Sequence, residues 1–453
     1  MLDNRSIDNM ESVRFESLYP GNSREEEIKK ILGYVRAGLS CQAIGVPGVG
    51  RANLLGLLAF NRNVRIKHLG ERQKDFHFVY LNFAEAGQAG LHEVNKFIFL
   101  NLLESLGERK YQETLEKIQN LFKEALSLND PLILWQNLKK AVDIIANQEG
   151  LSLVLLFDRF EEYFKNATSE FFLNLRTLRS LAKYRFAVIF SLTRPLEKSL
   201  DGWVYKEFYE FFVGHTVYIP LHDDPGMNFR LAYLEKTSGE KLETKIKESV
   251  LVLTGGHGKL TKVAIETLLR QKKVDNLSEF LLSQPPVQGA LFEILSALTS
   301  QEQEVLTKIA QGQPVPEDET LSFLSDLDLI KKTGSKFLIT IPLLANHFQN
   351  YIKPEEKIYF QVETNEILKG GEVISSGLSP QEFRLLKFLL QNPDRVCERG
   401  EIIDAVWPGT TNQGVSDEAI DQMIFRLRKK TEADPKNPQH LQTIKGRGFR
   451  FSP

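Results

Sequence analysis

A glycine-rich turn stands between an apolar segment and a helical pattern near the start of the chain. The turn GVPGVGRA (residues 45–52) precedes the apolar stretch NLLGLLAF. Backbone N–H groups of such a turn surround phosphate oxygens at a helix N-terminus, and its outer glycines have the spacing of G-x-x-x-x-G-K-[ST]. Arg51 replaces the lysine that reaches the β- and γ-phosphates, and Ala52 replaces the hydroxyl that holds Mg²⁺. The sequence predicts a phosphate-binding loop with weak ATP turnover or none, whose candidate contacts are Gly45, Gly48, Gly50 and Arg51.

A group of acidic residues follows the apolar segment 153–157. Asp158 comes directly after this segment, and Glu161 and Glu162 follow shortly after. Open parallel sheets bind ligands at the C-terminal ends of their strands, where Asp158 would hold Mg²⁺ and a glutamate would orient water. The alternative is a solvated helix N-terminus, whose dipole favours acidic side chains. The glycine-rich loop upstream favours nucleotide binding over this alternative.

Two further polar residues fit the same site. Arg194 closely follows the apolar segment 186–192, where a polar side chain would sense a γ-phosphate. His257 precedes another helical pattern, where it either contacts a nucleotide or caps the helix. A single histidine in this position is more often a helix-start residue than a ligand.

Short apolar segments alternate with amphipathic helical patterns throughout the first part of the chain. Continuous apolar strands separated by helices predict an α/β core with a parallel sheet. The 30 phenylalanines are expected to form its packed interior rather than a binding surface. The predicted strands are residues 41–44, 76–83, 151–157, 185–192 and 216–219.

Basic residues are concentrated at the C-terminal end of the chain. The formal charge of all 453 residues is −2, which argues against a wholly basic nucleic-acid coat protein. From Ile424 onward, however, the sequence has eight basic residues and only two acidic ones, Glu432 and Asp434. Such a local excess of positive charge is typical of a surface that binds phosphates. The alternative is the basic end of a solvated amphipathic helix. The eight are Arg426, Arg428, Lys429, Lys430, Lys436, Lys445, Arg447 and Arg450.

The elements around these charges predict a helix-turn-helix with a wing. Ser379 suits the N-cap of a first helix, Pro380 its first position, and Glu382 completes a capping box. The third helix of such an arrangement fits the major groove of DNA, and the wing reaches the adjacent minor groove. Two more helices and two hairpin strands are predicted at residues 399–406, 416–431, 441–444 and 449–451.

A shorter segment, residues 291–352, lies between the two parts. Its helices followed by a hairpin predict a winged helix, but its third helix reads EDETLSFLSDLD and is acidic. A DNA reader needs phosphate-neutralising charge there, so we expect an interdomain or regulatory module.

The overall composition restricts the class of protein. Two cysteines, Cys41 and Cys397, exclude a disulfide framework and indicate a reducing compartment. The apolar runs are too short to span a bilayer, and the N-terminal residues lack the pattern of a signal peptide. We expect a cytoplasmic protein that does not bind membranes.

The first part resembles the STAND and origin-recognition branch of the AAA+ P-loop ATPases. The residues that carry this resemblance are a Walker B-like LLFDRFEE at 155–162, a sensor-1-like FSLTR at 190–194, a GGHG box at 255–258 and an NSREE lead-in at 22–26. The resemblance implies that ATP or ADP is bound, with Asp158 as the Mg²⁺ ligand and Glu161 or Glu162 as the catalytic acid. It also implies that Arg194 is a phosphate sensor.

The last hundred residues resemble the OmpR/PhoB-type winged-helix domain of bacterial response regulators. The matching blocks are LSPQEFRLLKFLL, ERGEIIDAVWPG, VSDEAIDQMIFRLRKKTEADPKNP and LQTIKGRGFRF. The resemblance implies that the loop from Thr410 to Gly414 contacts RNA polymerase. It places Glu418, Gln422, Met423 and Arg426 in the DNA groove, Arg428 and Lys429 on phosphates, and Thr443, Lys445 and Arg447 in the wing.

These patterns predict a multidomain transcription regulator involved in signal transduction. A nucleotide-responsive domain would control promoter binding by the winged helix, with a homo-oligomer forming on double-stranded DNA. Two alternatives remain open: an active DNA-dependent ATPase, such as a replication initiator or transposition helper, and a pseudo-ATPase scaffold in signalling or defence. The predicted parts are a lead-in (1–20), the P-loop domain (21–285), the middle winged helix (287–352) and the DNA-binding domain (355–453).

Overall fold

The chain forms two compact units that divide between Gln349 and Asn350. The finer predicted domain boundaries stay predictions. The computed structural model describes residues 14–108, 111–271, 274, 276–334, 336–349, 358–361, 365–369, 372–407, 416–432, 434–435 and 437–452.

A five-stranded sheet with the order β2-β3-β4-β1-β5 organises the first unit. Each neighbouring pair of strands runs parallel. The inner strands β3, β4 and β1 are buried almost throughout, which explains their continuous apolar sequences and confirms the predicted parallel sheet. The strands are β1 (Cys41–Ile44), β2 (Phe76–Asn82), β3 (Ser152–Asp158), β4 (Phe186–Leu192) and β5 (Thr216–Tyr218).

Helices connect these strands, and aromatic side chains fill the interior. Phe157, Phe160 and Phe190 are fully buried, and their rings lie within about 6 Å of one another, as expected for a packed core. The helices are α1 (Glu25–Arg36), α2 (Arg51–Phe60), α3 (Arg62–Leu69), α4 (Leu91–Glu108), α5 (Gln112–Leu128), α6 (Pro131–Asp143), α7 (Ser169–Ala182), α8 (Leu196–Ser199), α9 (Gly202–Tyr205), α10 (Asp224–Ser238), α11 (Thr244–Thr254), α12 (Gly258–Arg270) and α13 (Leu277–Ser283).

Further helices and an antiparallel hairpin complete the first unit. Their succession is the one predicted for the middle segment, whose assignment as a winged helix stays a prediction. The elements are α14 (Pro285–Ser296), α15 (Ser300–Ala310), α16 (Glu319–Asp326), β6 (Ile330–Thr333), β7 (Lys336–Ile339) and α17 (Pro342–Gln349).

In the described residues of the second unit, two small antiparallel sheets and three α-helices pack around one apolar core. Ser379 and Glu382 form the predicted capping box at the start of α18. The core includes Leu385, Ile424 and Phe449, and through it the helices pack against the C-terminal hairpin. The elements are β8 (Ile358–Gln361), β9 (Glu366–Lys369), β10 (Glu372–Val373), α18 (Pro380–Leu390), β11 (Val396–Cys397), α19 (Arg399–Val406), α20 (Asp417–Thr431), β12 (Leu441–Ile444) and β13 (Gly448–Phe451). Across the described ranges of both units, we find no helix whose length and apolar character would suit a membrane span.

Candidate functional site

The glycine-rich loop leaves the C-terminal end of β1 and enters α2. Gly48 and Gly50 have φ angles of 79° and 108°, a region that residues with side chains rarely adopt. A Cβ at Gly48 would also lie 2.8 Å from His257 Cε1 and from Lys259 Cβ, so backbone angle and space both require glycine there. No side chain caps α2 at Gly50, so the first N–H groups of this helix are left to bind other acceptors.

Three successive carbonyl groups of the loop are held by residues outside it. Val49 N–H closes the turn onto Val46 O at 3.2 Å. In a trans peptide the N–H and the C=O point in opposite directions, so the N–H groups of Gly48 and Gly50 point away from the residues that hold Pro47 O and Val49 O. Gly48 and Gly50 both line a cavity. The loop thus offers amides to an anion. The braced pairs are Pro47 O with His257 Nε2 at 2.8 Å, Gly48 O with Lys259 N at 2.9 Å, and Val49 O with Arg24 Nη2 at 2.7 Å.

His257 is fully buried behind the loop and caps α12. Its Nδ1 accepts a hydrogen bond from Leu260 N at 3.2 Å, so Nε2 carries the proton that is donated to Pro47 O. Burial lowers the pKa of His257 to about 4, so the ring is neutral at physiological pH. Of the two roles that the sequence allows, the structure supports the helix cap. His257 supports the loop from behind and does not line the cavity.

Arg24 is a positioning residue that the motifs alone did not identify. Its side chain is buried, and Nη1 donates to Pro220 O at 2.8 Å while Nη2 donates to Val49 O. Its backbone N–H donates to Asp223 Oδ1 at 3.2 Å. The only sequence signal for this role is the NSREE lead-in, in which Arg24 is the central residue.

A cavity of about 810 Å³ opens beside the loop at the C-terminal edge of the sheet. This is within the usual range for ligand pockets, roughly 300–1,000 Å³. The structure therefore brings the predicted loop and the predicted acidic residues together, as the parallel strand order requires. The charged lining residues are Glu16, Arg51, Asp158, Arg159, Glu161, Glu162, Arg230, Lys259 and Glu293.

Asp158 ends β3 and is held by hydroxyl groups from the two neighbouring strands. Its Oδ2 accepts from Tyr80 Oη on β2 at 2.7 Å, and its Oδ1 accepts from Ser191 Oγ on β4 at 3.1 Å. Burial, together with the charge of Asp158, raises the pKa of Tyr80 well above its ordinary value. The Tyr80 hydroxyl is therefore a permanent donor to the carboxylate.

Arg51 and Glu161 form an ion pair across the cavity. Arg51 Nη2 lies 2.7 Å from Glu161 Oε1, and the two side chains are 10% and 21% exposed. The remaining Nη1 of Arg51 and Oε2 of Glu161 are buried without a hydrogen-bond partner. The pair therefore uses one contact where a guanidinium and a carboxylate can make two.

Glu162 and Arg194 are engaged elsewhere. Glu162 Oε1 pairs with Arg159 Nη2 at 2.8 Å on the cavity rim, where both side chains are about half exposed. Arg194 forms two hydrogen bonds with Glu302, and it is Thr193 rather than Arg194 that lines the cavity. The predicted phosphate sensor is thus held by α15, so the sensor role is not supported by its position.

The donor set around Asp158 does not fit a magnesium ion. Ala52 supplies no hydroxyl at the head of α2, and both oxygens of Asp158 already accept hydrogen bonds. Glu161 is neutralised by Arg51. Within the described part of the chain, no group of three or more His, Cys, Asp or Glu side chains is arranged to hold a metal. In this structure Asp158 is a buried hydrogen-bond acceptor, and its role as a metal ligand stays a prediction.

The second unit presents one exposed face of α20. At about 3.6 residues per turn, Glu418, Gln422, Phe425 and Lys429 share one stripe, and all four are exposed. Phe425 is 49% exposed, and Lys429 Nζ lies 4.7 Å from its ring centroid. Phe425 is therefore a candidate DNA contact, although the resemblance to the OmpR/PhoB-type domain did not indicate it.

Met423, which was predicted to lie in the DNA groove, is buried instead. It is 2% exposed and belongs to the core of the unit, together with Ile420, Ile424 and Leu427. Its position follows from the helical period, because it is three residues after Ile420 and four before Leu427. Met423 therefore supports α20 from inside and does not face DNA.

The charged residues beside this face are arranged by neighbouring elements. Lys430 Nζ lies 2.8 Å from Glu382 Oε2, while Arg426 Nε is 3.8 Å from Glu382 Oε1 and its side chain remains 57% exposed. Arg428 is tied to the hairpin, where its Nη2 donates to Thr443 Oγ1 at 2.7 Å. Arg428 thus connects α20 to the hairpin, and its predicted phosphate contact stays a prediction.

The wing is a short turn between β12 and β13. Its tip carries Lys445 and Arg447, both exposed, around Gly446 with a φ of 73°. Arg447 N–H donates to Ile444 O at 2.9 Å and closes the turn. The loop from Thr410 to Gly414 and Lys436 lie outside the described residues.

Comparison with known proteins supports the assignment of the second unit. Residues 375–451 match the family described as "Transcriptional regulatory protein, C terminal". The sensory transduction protein RegX3 of Mycobacterium tuberculosis is 40% identical over 94 residues, which cover 21% of this chain and 40% of RegX3. The family match, the helices and the hairpin confirm an OmpR/PhoB-type winged-helix domain. The chain spans less than half the length of this relative.

Solved structures were found for both units. The RstA DNA-binding domain of Klebsiella pneumoniae, in complex with the RstA box, has 23% identity and a TM-score of 0.19, covering 21% of this chain and 90% of that chain. The Walker-type ATPase PABY2304 of Pyrococcus abyssi has 16% identity and a TM-score of 0.45, covering 75% of this chain and 98% of that chain.

Proposed function

We propose that this chain is a transcription regulator that binds double-stranded DNA and responds to a bound nucleotide. The observation that carries the proposal is the exposed face of α20 beside the basic wing, within a domain that matches transcriptional regulatory proteins. The resemblance to relatives such as RegX3 supports the regulatory role.

The DNA-reading part of the proposal follows from the chemistry of this face. An α-helix fits the major groove, where the Gln422 amide can pair with adenine and the Glu418 carboxylate can accept from cytosine N4. Arg426 is exposed beside these residues and is a candidate for a guanine contact. Lys429, Lys445 and Arg447 supply sequence-independent attraction to phosphates.

The nucleotide-binding part rests on the braced loop and its cavity. The amides of the loop and of the first turn of α2 suit the phosphates of ATP or ADP. Occupancy would shift the population of a state in which the winged helix binds DNA or forms a homo-oligomer on it. Contact with RNA polymerase through the loop from Thr410 to Gly414 belongs to the same proposal.

The two alternative functions have less support. An active ATPase needs a free glutamate to orient water and a hydroxyl for the metal, whereas Glu161 is paired with Arg51 and Ala52 has none. A pure protein scaffold leaves the exposed basic wing without a role.

A DNA-binding titration of the full chain tests the proposal. Arg426→Ala should weaken binding to a selected duplex by about tenfold, since a specific base contact contributes roughly 1–3 kcal/mol. Lys387→Ala is the matched control, because Lys387 is a cation of the same domain whose Nζ binds Asn365 at 2.8 Å and lies over the Phe360 ring. Equal losses in the two variants, or no DNA binding at low salt, would contradict the proposed function.

A further inference from the structure

We propose that the cavity binds its nucleotide without a divalent metal ion, and that Glu161 occupies Arg51 until the phosphates displace it. The inference rests on the nucleotide binding proposed above and specifies how that site is filled.

The first ground is the chemistry of the donor set. A P-loop normally neutralises phosphates with a lysine and a metal held by a hydroxyl. Here Ala52 has a methyl group at the hydroxyl position, while Arg51 presents a permanently charged fork. A guanidinium can hold two phosphate oxygens at once, so it can supply neutralisation at the point where the metal ligand is missing.

The second ground is the geometry of the Arg51–Glu161 pair. The single contact at 2.7 Å leaves Arg51 Nη1 and Glu161 Oε2 buried without partners. A phosphate group has enough oxygens to satisfy both Nη1 and Nη2, whereas Glu161 in this position satisfies one. Glu161 thus acts as an anion built into the site, and phosphate competes with it for the same cation.

The third ground is the state of the other lining cations. Arg159 is paired with Glu162, and Lys259 is paired with Glu293. Arg230 donates to the Tyr19 hydroxyl. Of the described basic residues that line the cavity, Arg51 is the one that directly follows the loop and has a buried nitrogen without a hydrogen-bond partner.

Binding of ADP and ATP to the full chain, measured by calorimetric titration in Mg²⁺ and in EDTA, tests the inference. The wild-type affinity should differ less than threefold between the two conditions. Glu161→Gln should bind about tenfold more tightly in both, because the amide competes weakly for Arg51. Arg51→Ala should bind nucleotide at least tenfold more weakly. Arg51→Lys retains the positive charge but loses the guanidinium group, so it should also weaken nucleotide binding in EDTA.

Two controls separate competition from a general loss of negative charge. Glu207→Gln removes a carboxylate that pairs with Arg176 at 2.6 Å outside the cavity, and it should leave nucleotide affinity unchanged. In an Arg51→Ala or Arg51→Lys background, adding Glu161→Gln should give less of the tenfold gain, since the competed fork is gone.

The possible failures are distinguishable. Binding that requires Mg²⁺, or a Glu161→Gln gain that persists undiminished without Arg51, overturns the inference but leaves nucleotide binding standing. No binding of either nucleotide by any variant, with folding verified by thermal melting, overturns the proposed nucleotide response and this inference together.

Discussion

Removing the Arg194 side chain should destabilise the first unit strongly. Arg194 Nη1 and Nη2 donate to the two carboxylate oxygens of Glu302 at 2.7 and 2.8 Å, and Nη2 also reaches Ala297 O at 3.3 Å. The Glu302 side chain is only 5% exposed. Arg194→Ala therefore leaves a buried carboxylate without its cation.

The expected magnitude follows from this burial. Breaking a buried ion pair by removing one partner typically costs about 3–5 kcal/mol. Thr299 N–H still donates to Glu302 Oε2 at 2.8 Å in the variant, and Arg194 is 18% exposed, which reduces the penalty. We therefore expect a loss of about 3 kcal/mol in the free energy of unfolding at neutral pH.

The pH dependence provides an independent check. Burial raises the pKa of Glu302, but hydrogen bonds from Arg194 and Thr299 outweigh it and hold the pKa below its ordinary value. A lowered carboxyl pKa contributes stability above the unfolded pKa that is lost as the pH falls through the folded pKa. Without Arg194 the buried carboxyl can accept a proton, so the difference between wild type and variant should shrink toward pH 4.

Urea denaturation followed by far-UV circular dichroism measures these quantities. The matched control is Arg176→Ala, whose exposed pair with Glu207 should contribute less than about 1 kcal/mol. A double-mutant cycle with Glu302→Gln should give a combined loss smaller than the sum of the single losses. The reasoning is refuted if Arg194→Ala costs no more than Arg176→Ala, or if its penalty grows as the pH falls.

Four further predictions concern the loop, its support and the DNA surface. Burial lowers the pKa of His257 to about 4 in the folded protein, so the free energy of unfolding should decrease as the pH falls from 6.5 toward 4. The urea midpoint of His257→Asn should decrease less over the same pH range. Gly48→Ala should lower stability by about 1–3 kcal/mol and abolish nucleotide binding, as shown by melting and calorimetry. An exposed phenylalanine can pack against the methyl group of thymine, which deoxyuridine lacks, so Phe425→Ala should remove about 1 kcal/mol of the discrimination between these two bases in duplex titrations. Lys445→Ala should reduce the slope of log affinity against log salt by about 1, while base preference is retained.

Local patterns predicted the five strands of the first unit, and the three helices and the C-terminal hairpin of the second unit. Strands such as β3 are short apolar runs because both of their faces are buried, and this leaves a readable signal. The capping box of Ser379 and Glu382 was predicted for the same reason, since its physics is confined to one helical turn. The loop and Asp158 could be placed together because parallel strands end at one edge of the sheet.

Long-range partners could not be predicted from such patterns. The pairing of Arg194 with Glu302 joins residues far apart in sequence, and neither residue carries a local mark of it. The role of Arg24 as a brace of Val49 O has the same origin. The pairing of Arg51 with Glu161 depends on the packing of α2 against the end of β3, which only the folded chain defines.

The residues that were predicted to face the DNA groove include a different kind of error. Positional resemblance placed Met423 on the DNA side, but the helical period of buried residues in α20 already indicated the core. The same period placed Phe425 between Gln422 and Lys429 on the exposed face. The information was present in the sequence, and the period was the better guide to the exposed face.

The most direct test of the central claim is selection of DNA from a random duplex library by the full chain, followed by titration of the selected and a scrambled duplex with and without ATP or ADP. We predict that the selected duplex binds at least tenfold more tightly than the scrambled one, that Gln422→Ala removes this preference, and that nucleotide changes the affinity. Equal binding of the two duplexes would contradict sequence-specific regulation, and an unchanged affinity with saturating nucleotide would contradict its control by the loop.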